Sequence, residues 1–355
     1  MKSKILISTG GSGGHVIPAI TMHDHLKDNY DILISSDVRG LKYLDNELYQ
    51  IIVVDTPKLD NLILLPLSIL KLILLTLKSL LFFKKEKIQI LISTGGYMSL
   101  PLCMAARMLN IKIYLLEPNM VIGRANKFFL KFCEKIICYS ENIIGLHKEF
   151  RSKFKIINPL IRRKYYKERL KEYYNEKFTL IIIGGSQGAQ IFDKILHETI
   201  IGVSKIKPLK VIHQTSQKNI DTIKNVYSEN MIDNIVFSFD PNLNLLIDQA
   251  DLCITRAGAS SLAEISLSRK PFIAIPLPSS KDNHQQENAN YYKNKGCCWV
   301  IDQMNFDKKN FEELLLNIIN NKDEILLKKN NLEKLNYQNT WNNVNQNLLN
   351  IINEN

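Results

Sequence analysis

Lys4-Ile5-Leu6-Ile7-Ser8-Thr9-Gly10-Gly11-Ser12-Gly13-Gly14-His15 is the stretch that decides the fold. A short apolar run passes directly into a glycine turn, after which Val16, Ala19 and Ile20 begin a helical spacing. Strand, glycine turn and helix start together make an anion site. Glycine lets the backbone approach a ligand closely, and the unpaired N–H groups and helix dipole favour negative charge.

The same rhythm extends outward. Apolar, β-branched runs at Asp31–Ser35, Ile51–Val54, Ile88–Thr94, Lys112–Leu116 and Lys135–Tyr139 alternate with helical stretches, which predicts βαβ units around a buried parallel sheet. The pattern restarts at Phe178–Ile183, Leu209–His213, Ile235–Phe239, Asp251–Thr255 and Pro271–Ile275. The 355 residues therefore read as α/β, two Rossmann-like doubly wound domains facing a cleft. Apolar periodicity lapses between Arg162 and Lys177, after Ile157-Asn158-Pro159, so the first domain is set at 1–159 and the second at 160–340. Residues 341–355 read as a C-terminal helix, anchored by Trp341 and packed back on the first domain.

Lys plus Arg number 46 against 35 Asp plus Glu, a net charge of +11 that favours anionic partners: nucleic acid, anionic lipid or a phosphorylated substrate. The basic residues are not interleaved with aromatics in a recognisable nucleic-acid module, which argues against the first. Six cysteines without a C-x-x-C pair sit mostly in apolar runs, as reduced core thiols of a cytosolic protein do. Gly10 and Gly11 interrupt the first apolar run too early for a signal-peptide core, so no export signal is expected.

Two further glycine loops follow apolar strands: Thr94-Gly95-Gly96-Tyr97, and Gly184-Gly185-Ser186-Gln187-Gly188-Ala189. A structural tight turn is the alternative at each, but three loops at strand ends favour ligand binding. Asp37, closing the second strand, keeps a dinucleotide-dependent oxidoreductase open, although G-G-S-G-G-H is not G-x-G-x-x-G and a Walker lysine is missing. In Thr255-Arg256-Ala257-Gly258-Ala259-Ser260-Ser261-Leu262-Ala263-Glu264 a strand ends, Gly258 turns the chain, and a helix starts where a diphosphate fits. Glu264 is placed to accept two ribose hydroxyls, or to reach back as a capping-box residue. The amide-rich run from Lys281 to Ala289 suits sugar hydroxyls or a solvated helix start.

Together these motifs, with Glu117-Pro118-Asn119 and Gly123 to Lys127, resemble the family 28 glycosyltransferases that pass N-acetylglucosamine to undecaprenyl-diphospho-muramoylpentapeptide in bacterial cell-wall synthesis. The resemblance covers nearly the whole chain. It implies the GT-B fold, UDP-N-acetylglucosamine as donor, a polyprenyl-diphosphate-linked muramoyl peptide as acceptor, and inverting transfer to the sugar 4-hydroxyl. By resemblance the donor contacts are Ser186, Gln187, Gly188, Phe239 near the uracil, Gly258 and Ala259 on the diphosphate, Glu264 on the ribose, and Gln285 and Asn119 on the sugar, with Ser260 near the helix cap counted among them. Arg256 and Arg162 are further donor candidates. The junction Ile157-Asn158-Pro159-Leu160-Ile161-Arg162-Arg163 shifts the family's arginine by one position, which sets the phosphate role of Arg162 apart from the others. Gly10, Gly11, Ser12, Gly13 and Gly14, with Gly95, Gly96 and Tyr97, are assigned to the acceptor diphosphate, Ser12, Gly13 and Gly14 being counted with the donor as well.

No D-x-D occurs and no histidine or carboxylate spacing suggests a metal cage, so no metal and no cofactor beyond the donor is expected. Helix starts at Gly184 and Gly258 would meet the charge on departing uridine diphosphate. The attacking hydroxyl needs a base; His15 is the candidate and Glu117 the reserve.

Leu62 to Phe83 is apolar enough by length to cross a bilayer, but Pro66, Lys71 and Lys78 interrupt it. Ser68, Lys71 and Lys78 fall on one stripe of an amphipathic helix, and Phe82, Phe83, Lys84, Lys85 and Lys87 make its lipid-facing edge against an anionic surface. The expected place is the cytoplasmic face of the inner membrane, held peripherally. A UDP-sugar epimerase, a diacylglycerol glycosyltransferase and a non-catalytic scaffold are the competing readings.

Overall fold

The computed structural model describes residues 2–57, 64–166, 176–185 and 190–354. The chain divides into two compact units, Met1–Ile161 with Thr340–Asn355, and Arg162–Asn339.

The first unit runs β1 (Lys4–Ser8), α1 (Gly13–Leu26), β2 (Asp31–Ser36), β3 (Ile51–Val53), α2 (Leu65–Glu86), β4 (Ile90–Ser93), α3 (Leu100–Met108), β5 (Lys112–Glu117), α4 (Arg124–Phe129), β6 (Lys135–Cys138) and β7 (Phe154–Ile156). Its strands form one sheet in the order β3-β2-β1-β4-β5-β6-β7, every pair parallel. Ile5, Leu6, Ile7, Leu91, Ile92 and Leu115 are fully buried. Parallel strands covered on both faces need such continuous apolar runs, which is why the sequence announces them.

The second unit runs β8 (Phe178–Ile183), α5 (Gln190–Ser204), β9 (Leu209–Gln214), α6 (Ile220–Glu229), β10 (Asp233–Phe237), α7 (Leu243–Gln249), β11 (Leu252–Thr255), α8 (Ala259–Leu267), β12 (Phe272–Ala274), α9 (His284–Asn294), β13 (Cys298–Val300), α10 (Lys308–Asn320) and α11 (Lys322–Leu335). Its sheet has the order β10-β9-β8-β11-β12-β13, again parallel. The strand expected at Ile235–Phe239 begins two residues earlier, at Asp233, so Phe239 lies beyond its end. β7 and β13 are additional three-residue edge strands.

The last helix, α12 (Trp341–Asn353), belongs to the first unit. Val344 and Leu348 are buried, Trp341 stacks on His25 with ring centroids 3.6 Å apart, and Tyr30 donates to Asn353 Oδ1 at 2.7 Å. Lys155 pairs with Glu354 at 2.7 Å. All six cysteines are free and buried.

The apolar segment is one 22-residue helix, α2, long and apolar enough by length and composition to cross a membrane. The expected stripe is divided between two environments. Ser68, Thr76 and Ser79 face inward, while Lys71 and Lys78 are exposed. Thr76 and Ser79 satisfy their hydroxyls on the Leu72 and Leu75 carbonyls at 2.8 and 2.7 Å, so small polar residues can be buried where α2 packs on α3. The leucines point out: Leu67 is 66% and Leu81 72% exposed. Phe83, expected at the lipid-facing edge, is only 1% exposed and is a core residue; Phe82 is half-buried and Lys84, Lys85 and Lys87 are exposed.

Candidate active site

In each sheet the strand order reverses direction at one place, between β1 and β4 and between β8 and β11. Loops leaving the C-terminal ends of strands on either side of such a reversal are where open α/β sheets bind ligands. The glycine loops stand there.

In the first unit Ser8 is in register with Ser93, so Thr9 and Thr94 leave the sheet side by side and their hydroxyls bond at 3.0 Å. The first two glycine turns thus share a root. Gly11, Gly95 and Gly96 have φ of +76°, +86° and +81°, values that disfavour any side chain. A Cβ on Gly96 would strike the Met98 sulfur and would sit 3.6 Å from His15 Nε2, which brings the second loop against the histidine.

His15 lies in the first turn of α1, and its Nδ1 is 2.8 Å from the Thr94 carbonyl oxygen. A carbonyl only accepts, so Nδ1 carries the proton of the neutral ring and Nε2 carries the lone pair. That is the tautomer a general base requires.

Asp37 is buried and does not serve as an open ribose ligand. Its Oδ1 accepts the N–H of Gly11 at 2.7 Å and of Gly40 at 3.0 Å, and Oδ2 accepts from Arg39 Nε and Nη2 at 2.9 and 2.7 Å. Burial pushes this carboxyl up, but the Gly11 N–H, Arg39 and the Gly40 N–H outweigh it and hold the group below the usual range. The carboxylate shapes the loop, which counts against the dinucleotide reading. It also takes the Gly11 amide that was assigned to the acceptor diphosphate, leaving Gly13 and Gly14 at the helix start, whose N–H groups have no intrahelical acceptor.

Glu117, the reserve base, is likewise occupied. It accepts from Asn119 N and Nδ2, both at 3.1 Å, from Gly123 N at 2.7 Å and from Asn126 Nδ2 at 3.0 Å. Burial raises this carboxyl above its ordinary value despite those donors. Its geometry is that of a pin for the loop carrying Asn119, not of a proton acceptor for a substrate.

In the second unit Ile183 is in register with Thr255, so the third glycine loop and the Arg256 turn leave neighbouring strands. Gly185 has φ of +80°. Ser186, Gln187 and Gly188 lie outside the described residues. Gly258 caps α8 in extended conformation, leaving the amides of the first turn without intrahelical acceptors, and Ser260 Oγ in that turn is buried without a hydrogen-bond partner. Polar groups of Gly258, Ala259 and Ser260 are thus left for an anion.

Glu264, one turn farther on, is buried and receives Arg162 in a two-pronged bond, Nε to Oε1 at 2.6 Å and Nη2 to Oε2 at 2.8 Å. Arg162 Nη2 also donates to the Tyr165 hydroxyl at 3.1 Å. Burial lowers this guanidinium's pKa, and the Glu264 charge more than reverses that, so Arg162 stays protonated. Its partner is the expected ribose ligand rather than open space for a phosphate. A carboxylate has about four lone-pair sites, so Glu264 retains acceptor capacity.

Arg256 departs from its expected role. Its Nη1 donates to the Ile275 and Pro276 carbonyls at 3.0 and 3.2 Å, its guanidinium lies 4.8 Å from the Phe192 ring centroid, and burial lowers its pKa to about 10. It ties β11 to β12 inside the unit. Gln285 Oε1 accepts from Ala257 N at 3.3 Å and Leu277 N at 3.0 Å, which fixes its amide group beside the α8 turn. Phe239 is 77% exposed just past β10.

A buried group that sequence reasoning did not single out stands in the first turn of α5. Asp193 Oδ2 accepts from Thr215 Oγ1 and Asn219 Nδ2, both at 2.7 Å, and Oδ1 lies 3.4 Å from Nε2 of fully buried His213, whose Nδ1 is 2.8 Å from the Tyr227 hydroxyl oxygen. The helical position of Asp193, one turn after a glycine loop, was the available signal. Among the described residues no group of three or more His, Cys, Asp or Glu is arranged to hold a metal ion.

The glycosyltransferase family 28 N-terminal domain matches residues 5–138 and the family's C-terminal domain matches residues 179–342. A relative from Pelagibacter ubique, a UDP-N-acetylglucosamine–N-acetylmuramyl-(pentapeptide) pyrophosphoryl-undecaprenol N-acetylglucosamine transferase, is 48% identical over 100% of both chains. A transferase of the same name from Rickettsia felis is 31% identical over 90% of this chain and 91% of its own. Among solved structures, MurG of Acinetobacter baumannii superposes with a TM-score of 0.79 at 21% identity over 100% of both chains. A UDP-N-acetylglucosamine 2-epimerase superposes at 0.63 and 12% identity over 93% of this chain and 90% of its own, so the fold alone does not choose the reaction.

Proposed function

This chain belongs to glycosyltransferase family 28, and on that premise we propose that it transfers N-acetylglucosamine from UDP-N-acetylglucosamine to the muramyl sugar of an undecaprenyl-diphosphate-linked pentapeptide. The acceptor 4-hydroxyl attacks the anomeric carbon, the bond from that carbon to the diphosphate breaks with inversion, uridine diphosphate leaves, and the hydroxyl proton passes to His15 Nε2. The observation that carries this chemistry is the His15–Thr94 bond, which sets the basic nitrogen toward the second glycine loop.

Each half-site contributes separately. The α8 start, with Ser260 Oγ, is suited to the donor diphosphate as its charge builds, and Glu264 to the ribose. The donors there are amides and a hydroxyl, so we read the transfer as metal-independent. The α1 start, at Gly13 and Gly14, with Gly95, Gly96 and Tyr97, is suited to the acceptor diphosphate.

The membrane surface enters through α2. Its exposed leucines, with Lys84 and Lys85 in its last turn and Lys87 just after, form an apolar face ending in cations. β3 and β4, on either side of α2 in sequence, lie in one sheet, which a helix crossing the bilayer between them would forbid. We therefore read α2 as lying in the interface, on the leaflet that presents the acceptor.

The test is transfer of radiolabel from UDP-N-acetylglucosamine to a lipid-linked muramyl pentapeptide with a chelator present. Labelled lipid product of inverted configuration is expected. Failure of transfer, or sugar conversion in the absence of acceptor as an epimerase would give, overturns the reading.

A further inference from the structure

We propose that Arg39 is a ligand of the acceptor diphosphate and that Asp37 is the residue that positions it. This rests on the assignment of the first two glycine loops to that diphosphate.

The argument begins from a charge conflict. Asp37 is buried beneath the first loop with Oδ1 on the Gly11 amide. A carboxylate so placed holds the loop, but it also puts a negative charge next to amides that are to receive a doubly charged group. Two like charges within several ångströms repel strongly in low-dielectric surroundings. The loop can bind a diphosphate only if that charge is cancelled locally.

Arg39 cancels it. Its Nε and Nη2 both donate to Asp37 Oδ2, leaving Oδ1 to the two amides. The same Nη2 donates to the hydroxyl of Tyr97, and the guanidinium lies 5.3 Å from the Tyr97 ring centroid. The fork is thereby fixed between the first loop and the second. It is also close to the ligand's place, since Nη2 would be 3.5 Å from a Cβ built on Gly11.

Neutralisation does not exhaust the group. A guanidinium has five N–H donors; Asp37 and Tyr97 engage only the Nε and Nη2 side, and the side chain remains 47% exposed. Held already in one orientation, Arg39 loses little rotamer freedom on binding, which favours the fork–fork geometry that phosphate oxygens take with arginine. The chemical class recognised is a pyrophosphoryl group.

The experiment separates ligation from mere charge cancellation. In the full chain, R39Q, R39K and the double variant D37N/R39Q are compared with the wild type for KM of each substrate, for kcat and for thermal unfolding. R39Q is expected to raise the acceptor KM about tenfold, as loss of one charge-assisted contact does, with donor KM little changed. The double variant removes the buried charge together with its partner and restores local neutrality. If Arg39 ligates the diphosphate, the acceptor KM stays raised in the double variant and recovers in part with R39K. Return of the double variant to the wild-type KM would reduce Arg39 to a counter-ion and overturn the proposal. Binding of geranyl diphosphate, measured by calorimetry on the same proteins, reads Arg39 without turnover. Weaker binding in both R39Q and the double variant supports the proposal, and unchanged binding sinks it even where the wild type shows no transfer and the assigned reaction itself has failed.

Discussion

Arg162 and Glu264 are joined by two parallel hydrogen bonds, across 102 residues of sequence, at the start of the second unit. The carboxylate proposed to bind the ribose is thus oriented by the first residue of its own unit. Glu264→Gln is expected to weaken UDP binding at least about tenfold, because an amide accepts at only one of its two ends. Arg162→Met is expected to cost about 2 kcal/mol of stability, less than the penalty for a fully buried pair because Arg162 is 27% exposed. Calorimetric UDP titration and denaturant unfolding check the two. UDP affinity unchanged in Glu264→Gln would remove the ribose role.

His15→Ala is expected to lower kcat by about a hundredfold to ten-thousandfold, the usual worth of a general base, with UDP affinity retained. Steady-state kinetics beside UDP titration decide it. Parallel loss of both would reassign His15 to shaping the loop through its Thr94 bond.

On α2 the structure separates an exposed apolar face from the packed one. Replacing exposed Leu67, Leu74 and Leu81 by glutamine should reduce vesicle binding with little effect on stability, and replacing Lys84, Lys85 and Lys87 by glutamate should do so on anionic vesicles. Phe83→Ala should instead cost about 3 kcal/mol or more of stability, as emptying a buried aromatic site does. Vesicle co-sedimentation and thermal unfolding distinguish them. Full vesicle binding by the leucine variant would exclude α2 as the lipid face.

Asp193 gives a pH prediction. Burial alone would raise its carboxyl, but His213, Asn219 and Thr215 together hold it below the ordinary aspartate value near 3.8. A depressed folded pKa means that the charged form stabilises the fold above that ordinary value, and that this contribution is lost as pH falls through the folded value. Asp193→Asn should therefore be less stable than the wild type at neutral pH, and the gap should narrow in acid. Urea unfolding at both pH values measures it; a gap that does not change with pH would show that the carboxylate charge contributes nothing.

The parallel strands were legible in sequence because burial on both faces demands unbroken apolar runs, as at Ile5 to Ile7 and Leu180 to Ile183. β7 and β13 were not, since Lys155 interrupts the first short run and only Cys298 of the second is buried. The glycine loops could be read because left-handed backbone excludes other residues, and Gly11, Gly95 and Gly96 adopt it.

What stayed hidden is where polar side chains point. Glu117 and Asp37 read as free acids, yet their partners are amides of loops several residues away or farther, Gly123 and Gly11, which periodicity cannot pair. Arg256 read as a donor ligand for the same reason, its target being the Ile275 and Pro276 carbonyls just past β12. The helix α2 divided the expected stripe, burying Ser68 and leaving Lys71 and Lys78 exposed, because serine and threonine can return their hydroxyls to their own helix and pass as small packing residues, as Thr76 and Ser79 do.

The six sequestered thiols give the chain a blank background for chemical labelling. Burial pushes Cys103, Cys253 and Cys298 up to about 12, so at neutral pH almost no thiolate exists to meet an alkylating reagent. A cysteine introduced at Leu81 or at Phe239 would then be the one position a maleimide dye reaches, and its fluorescence would report bilayer immersion or nucleotide arrival without any native cysteine being removed.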